Sequence, residues 1–154
     1  MLYLGLGTNL GDKPANLKRA IFLIGQRVGR IVCVSNFYVT EPWGYASPNT
    51  YLNAALGVET SLSPFQVLSV TQEIERELGR TTKSTEGGYT DRLIDIDLLL
   101  MGEWAIRTAN LTIPHPLMHE RLFVLKPMVE IAPTVVHPML GKTICQIYNS
   151  MNLP

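Results

Sequence analysis

Apolar and polar residues recur with two different periods along the first part of the chain, and these periods predict its first strand and helix. Leu2 to Leu6 is a short apolar run typical of a buried strand. The glycine-containing segment 5–12 is predicted to turn into a helix, because the apolar residues after it recur at helical spacing. Gly29 is expected to end that helix. Its apolar positions are Leu17, Ala20, Ile21, Ile24 and Val28.

Two further strands are predicted from β-branched and aromatic residues. Ile31 to Thr40 and Leu52 to Thr60 both have the composition of strands. The excursion between them, Glu41 to Thr50, is rich in proline and glycine and is too long for a tight hairpin. We therefore expect a long loop to join the two strands.

The second helix has recognisable start and stop signals. Ser63-Pro64-Phe65-Gln66 combines a serine N-cap, proline at the first helical position and glutamine three residues after the cap. The helix is predicted to continue to Leu78 and to end at Gly79. The following segment, Thr81 to Thr90, reads as a polar loop that contains glycine.

Two carboxylates interrupt the apolar strand predicted over 91–101. Because side chains alternate between the two faces of a strand, Asp95 and Asp97 should share one face. The opposite face should carry Ile94, Ile96, Leu98 and Leu100. Buried charges are costly unless they are neutralised. Neighbouring oxygen donors without cysteine suit Mg²⁺, and phosphate oxygens often complete the coordination shell of this ion. Arg92 could hold such phosphates. A salt bridge at a strand edge, or exposure on a one-sided sheet, would explain the same pair.

The predicted elements follow the order β-α-β-β-α-β, which is the order of the ferredoxin-like α+β sandwich. Leu117 to Leu125 and Thr143 to Ser150 are predicted as additional C-terminal helical segments that cover an edge. Enzymes, RNA-binding modules and small-molecule regulatory domains share this element order, so the fold alone does not decide the function.

Composition narrows the setting and the partners. The 154 residues suit a single domain, 1–154, and the 13 basic and 13 acidic residues balance. Tyr51 to Glu59 lacks the aromatic and basic pattern of an RNA-binding strand. No apolar run approaches the about 20 residues of a membrane span, and no targeting segment precedes the first strand. We therefore expect a cytoplasmic protein without nucleic-acid or membrane partners.

Several motifs in combination indicate an enzyme family. Arg92-Leu-Ile-Asp95-Ile-Asp97 is followed by Pro114-His115 and then by Arg121-Leu-Phe123, and this order is specific although each motif alone is weak. The other matching segments are Leu6-Gly-Thr-Asn-Leu-Gly11, Thr40-Glu-Pro-Trp-Gly44 and Tyr51-Leu-Asn-Ala-Ala55. Through nearly its whole length the chain resembles the 6-hydroxymethyl-7,8-dihydropterin pyrophosphokinases of folate biosynthesis. The resemblance implies a ferredoxin-like monomer that transfers the pyrophosphoryl group of ATP to the pterin's hydroxymethyl group and releases AMP.

The resemblance also implies how the polar residues divide the work on ATP. Asp95 and Asp97 would hold two Mg²⁺ ions that bridge the ATP phosphates, and Asp97 is the better candidate for touching both ions. The other residues assigned to catalysis are Arg92, Arg121 and His115. The residues assigned to ATP binding are Gln72, Glu75, Lys83, Arg92, Thr112, His115 and Arg121.

The remaining implied residues would bind the pterin. The assigned set is Thr40, Pro42, Trp43, Tyr51, Asn53, Tyr89 and Phe123. Tyr51 and Phe123 are the stacking pair, although taken singly each reads as an ordinary core aromatic. The chain departs from the family pattern before the Asp strand, where a phosphate-binding arginine and a tryptophan are missing. Lys83 and Tyr89 are expected to substitute for them.

Two rival functions account for part of the pattern. A ferredoxin-like regulatory domain that binds a small molecule without catalysis would explain the aromatic residues, but not two aspartates beside an arginine. A different Mg²⁺-dependent phosphotransferase would explain the aspartates, but not Tyr51, Asn53 and Phe123 together. Under the pyrophosphokinase interpretation, the polar loop 81–91 is expected to close as a lid when both ligands bind.

Overall fold

The computed structural model describes residues 1–40, 50–79 and 93–151 and shows an α+β fold. The longer strands in these ranges are β1 (Leu2–Thr8), β2 (Arg30–Val34), β3 (Tyr38–Thr40), β4 (Tyr51–Glu59) and β5 (Asp95–Met101). The two-residue strands are β6 (Ile106–Arg107), β7 (Thr112–Ile113), β8 (Val136–His137) and β9 (Lys142–Thr143). The helices are α1 (Lys13–Arg27), α2 (Pro64–Leu78), α3 (Leu122–Ile131) and α4 (Ile144–Met151). None of the described helices is long and apolar enough to cross a membrane.

One antiparallel sheet organises the fold. Its strand order is β2-β4-β1-β5, and β3 pairs with β4 as well. The central strand β1 places Gly7 opposite Asn53 of β4 and opposite Asp95 of β5, and places Gly5 opposite Asp97. Residues far apart in the chain therefore meet around two glycines at the middle of the sheet.

The two faces of the sheet have different covers. Leu2, Leu4 and Leu6 of β1 pack with buried residues of α1 and α2. The opposite face of β1 carries Tyr3, which packs with residues of α3 and α4. Gly5 and Gly7 follow Tyr3 at alternate positions on the same face of β1. Beyond Tyr3, β1 therefore presents no side chain larger than hydrogen on this face at residues 5 and 7.

The local signals of α2 are confirmed. The Ser63 hydroxyl accepts a hydrogen bond from the backbone N–H of Gln66 at 3.2 Å, and the backbone N–H of Ser63 donates to Oε1 of Gln66 at 2.8 Å. The same reciprocal arrangement joins Thr143 and Gln146 at the start of α4. Each of these reciprocal pairs, called a capping box, provides acceptors for backbone N–H groups that have no partner within the helix.

The prediction of one continuous strand from Ile31 to Thr40 is wrong. The chain leaves regular pairing between β2 and β3, where Ser35 bonds to Ala55 of β4 through its backbone N–H and through its hydroxyl, both at 2.9 Å. The next backbone N–H, that of Asn36, donates to the side chain of Glu130 on α3. Contacts with another part of the fold thus interrupt the strand.

Two further expectations need correction. A bulge at Leu99 shifts the register between β1 and β5, and Leu100 consequently packs in the α3/α4 cluster, opposite to the face of Leu98. The predicted helical segment Leu117 to Leu125 is a 3₁₀ turn, Met118–Glu120, followed by α3, which continues to Ile131. The hairpins β6–β7 and β8–β9 were not predicted.

Gly29 directly follows the cap residue of α1, where a helix-ending glycine is expected, and it also allows the chain to approach the backbone of Glu59 closely. The cap residue of α1 is Val28, and a Cβ atom added at Gly29 would overlap the carbonyl oxygen of Glu59. We expect Gly29→Ala to lower the free energy of unfolding by about 1–3 kcal/mol, as overpacking does. Gly25→Ala is the matched control because its Cβ would meet only Ile31, at 3.4 Å. Urea unfolding measures both variants, and equal stability of the two would contradict this role of Gly29.

Candidate active site

A cavity opens on the face of the sheet covered by α3. Strands β1, β4 and β5 form its floor, and the start of α3 forms one wall. It brings together residues that are up to 119 positions apart in the chain, from Gly5 to Val124. Seven of the predicted site residues line it: Thr40, Tyr51, Asn53, Asp95, Asp97, Arg121 and Phe123.

Two glycines of β1 leave space above the floor of this cavity, because they have no side chains that would fill it. Gly5 and Gly7 both line it, and a Cβ atom at Gly7 would lie 3.0 Å from Oδ1 of Asn53 and 3.5 Å from the ring of Tyr51. The sequence pattern predicted that these glycines belong to the turn before α1, but they lie inside β1. Their alternation with Leu4 and Leu6 was the signal that could have found them.

At one end of the cavity, a hydrogen bond holds the side chains of Asn53 and Thr40 together. The side-chain amide of Asn53 donates to Oγ1 of Thr40 at 2.6 Å, and Asn53 is buried. Thr40 lies opposite Tyr51 in the pairing of β3 with β4. The hydrogen bond fixes the orientation of the Asn53 amide, which leaves its oxygen and its second N–H to face a polar ligand.

The carboxylates lie at the other end of the cavity. Asp95 and Asp97 are half-buried on the same face of β5, as the alternation predicted. Glu75 reaches the same strand from α2, and its carboxylate accepts the backbone N–H of Ile96 at 2.8 Å. The pKa of Glu75 is raised to about 8, mainly by burial; the charges of Asp95 and Asp97 and a side-chain hydrogen bond with Asp95 act in the same direction, and the hydrogen bond from Ile96 opposes them. Negative charge is therefore concentrated here.

This donor set fits a hard divalent cation that shares its shell with a ligand. Within the described ranges, no group of three or more His, Cys, Asp or Glu side chains is arranged as a metal-binding cluster. Mg²⁺ does not need one, because it is commonly held by one or two carboxylates together with substrate phosphates and water. Asp95 and Asp97 supply such a pair, and a cation beside them would offset the effect of their charges on the pKa of Glu75.

His115 is held as a hydrogen-bond donor next to the carboxylates. Its Nδ1 accepts the backbone N–H of Leu117 at 3.2 Å, so that in the neutral ring Nε2 carries the proton. Its own backbone N–H donates to the carbonyl of Leu99 on β5 at 2.9 Å. Burial lowers the pKa of His115, and the positive charge of Arg121 lowers it further while Asp95 opposes the shift. The ring is thus neutral near pH 7.

The other residues predicted to bind ATP are distributed around the cavity. Thr112 and His115 line an adjoining groove beside the β6–β7 hairpin, not the cavity itself. Gln72 is exposed on α2 and lines neither space, whereas Glu75 is bound to β5. The guanidinium carbon of Arg121 lies 5.6 Å from the centre of the Phe123 ring, which places a positive charge beside the aromatic side of the cavity. The predicted residues Pro42, Trp43, Lys83, Tyr89 and Arg92, and the lid expected over 81–91, lie outside the described residues.

Comparisons with known proteins agree with this geometry. Residues 3–133 match the family described as 7,8-dihydro-6-hydroxymethylpterin-pyrophosphokinase (HPPK). A 2-amino-4-hydroxy-6-hydroxymethyldihydropteridine pyrophosphokinase of Porphyromonas gingivalis is 47% identical over 139 residues, covering 90% of this chain and 94% of the relative. The enzyme of the same name from Bacillus subtilis is 44% identical over 134 residues, covering 86% of this chain and 78% of the relative.

Solved structures share the fold at much lower identity. Plasmodium falciparum HPPK-DHPS with pteroate superposes with a TM-score of 0.78 at 17% identity, and the same protein with SDX-DHP gives 0.76 at 16%. Both alignments cover 97% of this chain but only 42% and 44% of the longer structures. The matches to the family and to its enzymes extend over most of the sequence, and this chain belongs to the 7,8-dihydro-6-hydroxymethylpterin-pyrophosphokinase family.

Proposed function

We propose that this protein transfers the pyrophosphoryl group of ATP to the hydroxymethyl group of 6-hydroxymethyl-7,8-dihydropterin, releasing AMP, in folate biosynthesis. The observation that carries the proposal is that one cavity contains both an aromatic and amide end and a carboxylate end. A regulatory binding domain would need only the first, and an unrelated phosphotransferase only the second. Family membership supports the same activity.

The aromatic end suits a pterin. A flat heterocycle between Tyr51 and Phe123 would bury both of its faces, and the Asn53 amide would read its polar edge, oriented by Thr40. Pro42 and Trp43 are proposed to supply backbone contacts and Tyr89 an additional ring, all on the strength of the family resemblance.

The carboxylate end suits the phosphates of ATP. We assign Asp95 and Asp97 as the residues that hold two Mg²⁺ ions. When bound, Mg²⁺ neutralises phosphate oxygens and orients them for in-line displacement. Arg121 and Arg92 would add positive charge, and the Nε2–H of His115 would donate a hydrogen bond to a phosphate oxygen.

The reaction needs no covalent enzyme intermediate. The hydroxymethyl oxygen of the pterin attacks the β-phosphorus, a new O–P bond forms, and the bond from that phosphorus to the oxygen bridging to the α-phosphate breaks. AMP leaves with the bridging oxygen and its electron pair. The proton of the hydroxyl group is proposed to pass to Asp97, the carboxylate that is the better candidate for touching both metal ions.

The adenosine part of ATP is assigned to the groove next to the cavity. Thr112 lines this groove together with His115, so a nucleotide could extend from one space to the other. Gln72, Glu75 and Lys83 complete the proposed ATP set. For Glu75 the hydrogen bond to Ile96 supports a role in holding β5, in addition to any contact with the nucleotide.

The finer structural and cellular assignments are also proposals. The sheet order, with α1 and α2 on one face, supports the ferredoxin-like description with additional C-terminal helices. We propose that residues 1–154 form one domain that acts as a monomer in the cytoplasm.

The identity of the nucleotide product tests the proposed reaction. The protein is incubated with ATP, Mg²⁺ and hydroxymethyldihydropterin, and the nucleotides are separated by chromatography. AMP together with a pterin that has gained two phosphorus atoms is the expected result. ADP would indicate an ordinary kinase, and binding of the pterin without turnover would favour the regulatory domain.

A further inference from the structure

Glu130, near the end of α3, binds the interruption between β2 and β3. The backbone N–H of Asn36 donates to both carboxylate oxygens of Glu130, each at 3.0 Å. The phenol hydroxyl of Tyr38 donates to Oε1 of the same carboxylate. Lys126, one turn earlier on α3, places its ammonium group 5.3 Å from the centre of the Tyr38 ring. Helix α3 therefore holds Tyr38 both at its hydroxyl and over its ring.

The strand held in this way carries one end of the cavity. β3 has three residues and pairs with β4 alone among the described strands, with Tyr38 opposite Asn53 and Thr40 opposite Tyr51. So short a strand gains little from its own ladder of hydrogen bonds. The position of Thr40, which accepts the hydrogen bond from Asn53, consequently depends on what fixes Tyr38.

The helix that holds β3 also carries the opposite wall. Phe123 and Val124 lie in the first turn of α3 and line the cavity, while Glu130 lies in its last turn. The same ten-residue helix carries both, with Pro127 between them. Its contact with Asn36 and Tyr38 thus sets the distance between the wall that carries Phe123 and the strand that carries Thr40.

We propose that Glu130 is a positioning residue for the pterin, acting through Asn36 and Tyr38 to hold β3 at the distance from α3 that a single flat ring requires. The inference rests on the proposed function, because it takes the occupant of the cavity to be a pterin. Glu130 does not line the cavity, so its effect on binding is indirect. The ATP phosphates, which are assigned to β5 and Arg121, are outside its influence.

Three single variants and one double variant test the proposal through binding and not only through activity. Glu130→Ala should weaken pterin binding about five- to tenfold, the effect of losing an ordinary hydrogen bond, because these contacts are exposed. Glu130→Gln keeps one acceptor and should recover part of the affinity. Tyr38→Phe should weaken pterin binding in the same direction, and the Glu130→Ala/Tyr38→Phe double variant should bind little worse than Glu130→Ala, because the pair is coupled. Calorimetry with the pterin, and separately with a non-hydrolysable ATP analogue, gives both affinities.

Glu59→Gln is the matched control. Glu59 forms an exposed ion pair with Arg30 at 2.7 Å, at the end of β4 remote from the cavity, and its loss should leave pterin affinity unchanged. Unchanged pterin affinity in the three single variants of Glu130 and Tyr38 would overturn the proposal, as would equal weakening of pterin and ATP. If Glu130→Ala does not fold, Glu130→Gln and Tyr38→Phe decide by the same criteria. A wild-type protein that neither binds nor converts the pterin would instead overturn the proposed function.

Discussion

Asp97→Ala is expected to lower kcat about a thousandfold or more, which is the loss seen when charge stabilisation of the transition state is removed. Asp95→Ala should behave similarly, because the two carboxylates are proposed to hold the metal ions together. Steady-state kinetics at saturating ATP and Mg²⁺ measures the loss. A folded variant that keeps more than about a tenth of the wild-type kcat would contradict the two-metal site.

Stability measurements provide the control for this experiment. The charges of Asp95 and Asp97 raise the pKa of Glu75, and Asp95 also shares a side-chain hydrogen bond with it. The free energy of unfolding of each variant is therefore measured by urea denaturation without Mg²⁺. A loss of activity without a loss of stability would assign the aspartates to function rather than to the fold.

Phe123→Ala is expected to weaken pterin binding about ten- to a hundredfold, the range for one base stacked on one aromatic ring. ATP affinity should remain nearly unchanged, because the ring faces the aromatic end of the cavity. Phe22→Ala is the matched control, since Phe22 is exposed on α1. Calorimetric titration separates the two ligands. Equal weakening of pterin and ATP would mean that Phe123 supports the fold instead of the pterin.

The elements that the sequence predicts well are those specified by neighbouring residues. The start of α2 depends on a serine and a glutamine three positions apart, and both partners are visible in the sequence. The shared face of Asp95 and Asp97 follows from strand alternation alone. Family resemblance added residues that pattern analysis would have left in the core, such as Tyr51 and Phe123, and the structure brings both to the cavity.

The features that were mispredicted depend on distant partners. The break after β2 is stabilised by Glu130, which is 94 positions away from Asn36 in the chain. The bulge at Leu99 is visible only in the register of β5 against β1. A contact that was not predicted also joins distant residues: Glu75 lies 21 positions before Ile96, and no local pattern indicates that its carboxylate would bind the backbone of β5. Such contacts arise from tertiary packing, which single-sequence patterns do not encode.

A crystal structure of the protein with the pterin, a non-hydrolysable ATP analogue and Mn²⁺ in place of Mg²⁺ would test the central claim most directly. Anomalous scattering locates the Mn²⁺ ions independently of the rest of the structure. We predict two ions coordinated by Asp95 and Asp97 and by phosphate oxygens, with the pterin ring between Tyr51 and Phe123. Ions bound away from both aspartates, or a pterin outside this cavity, would contradict the account.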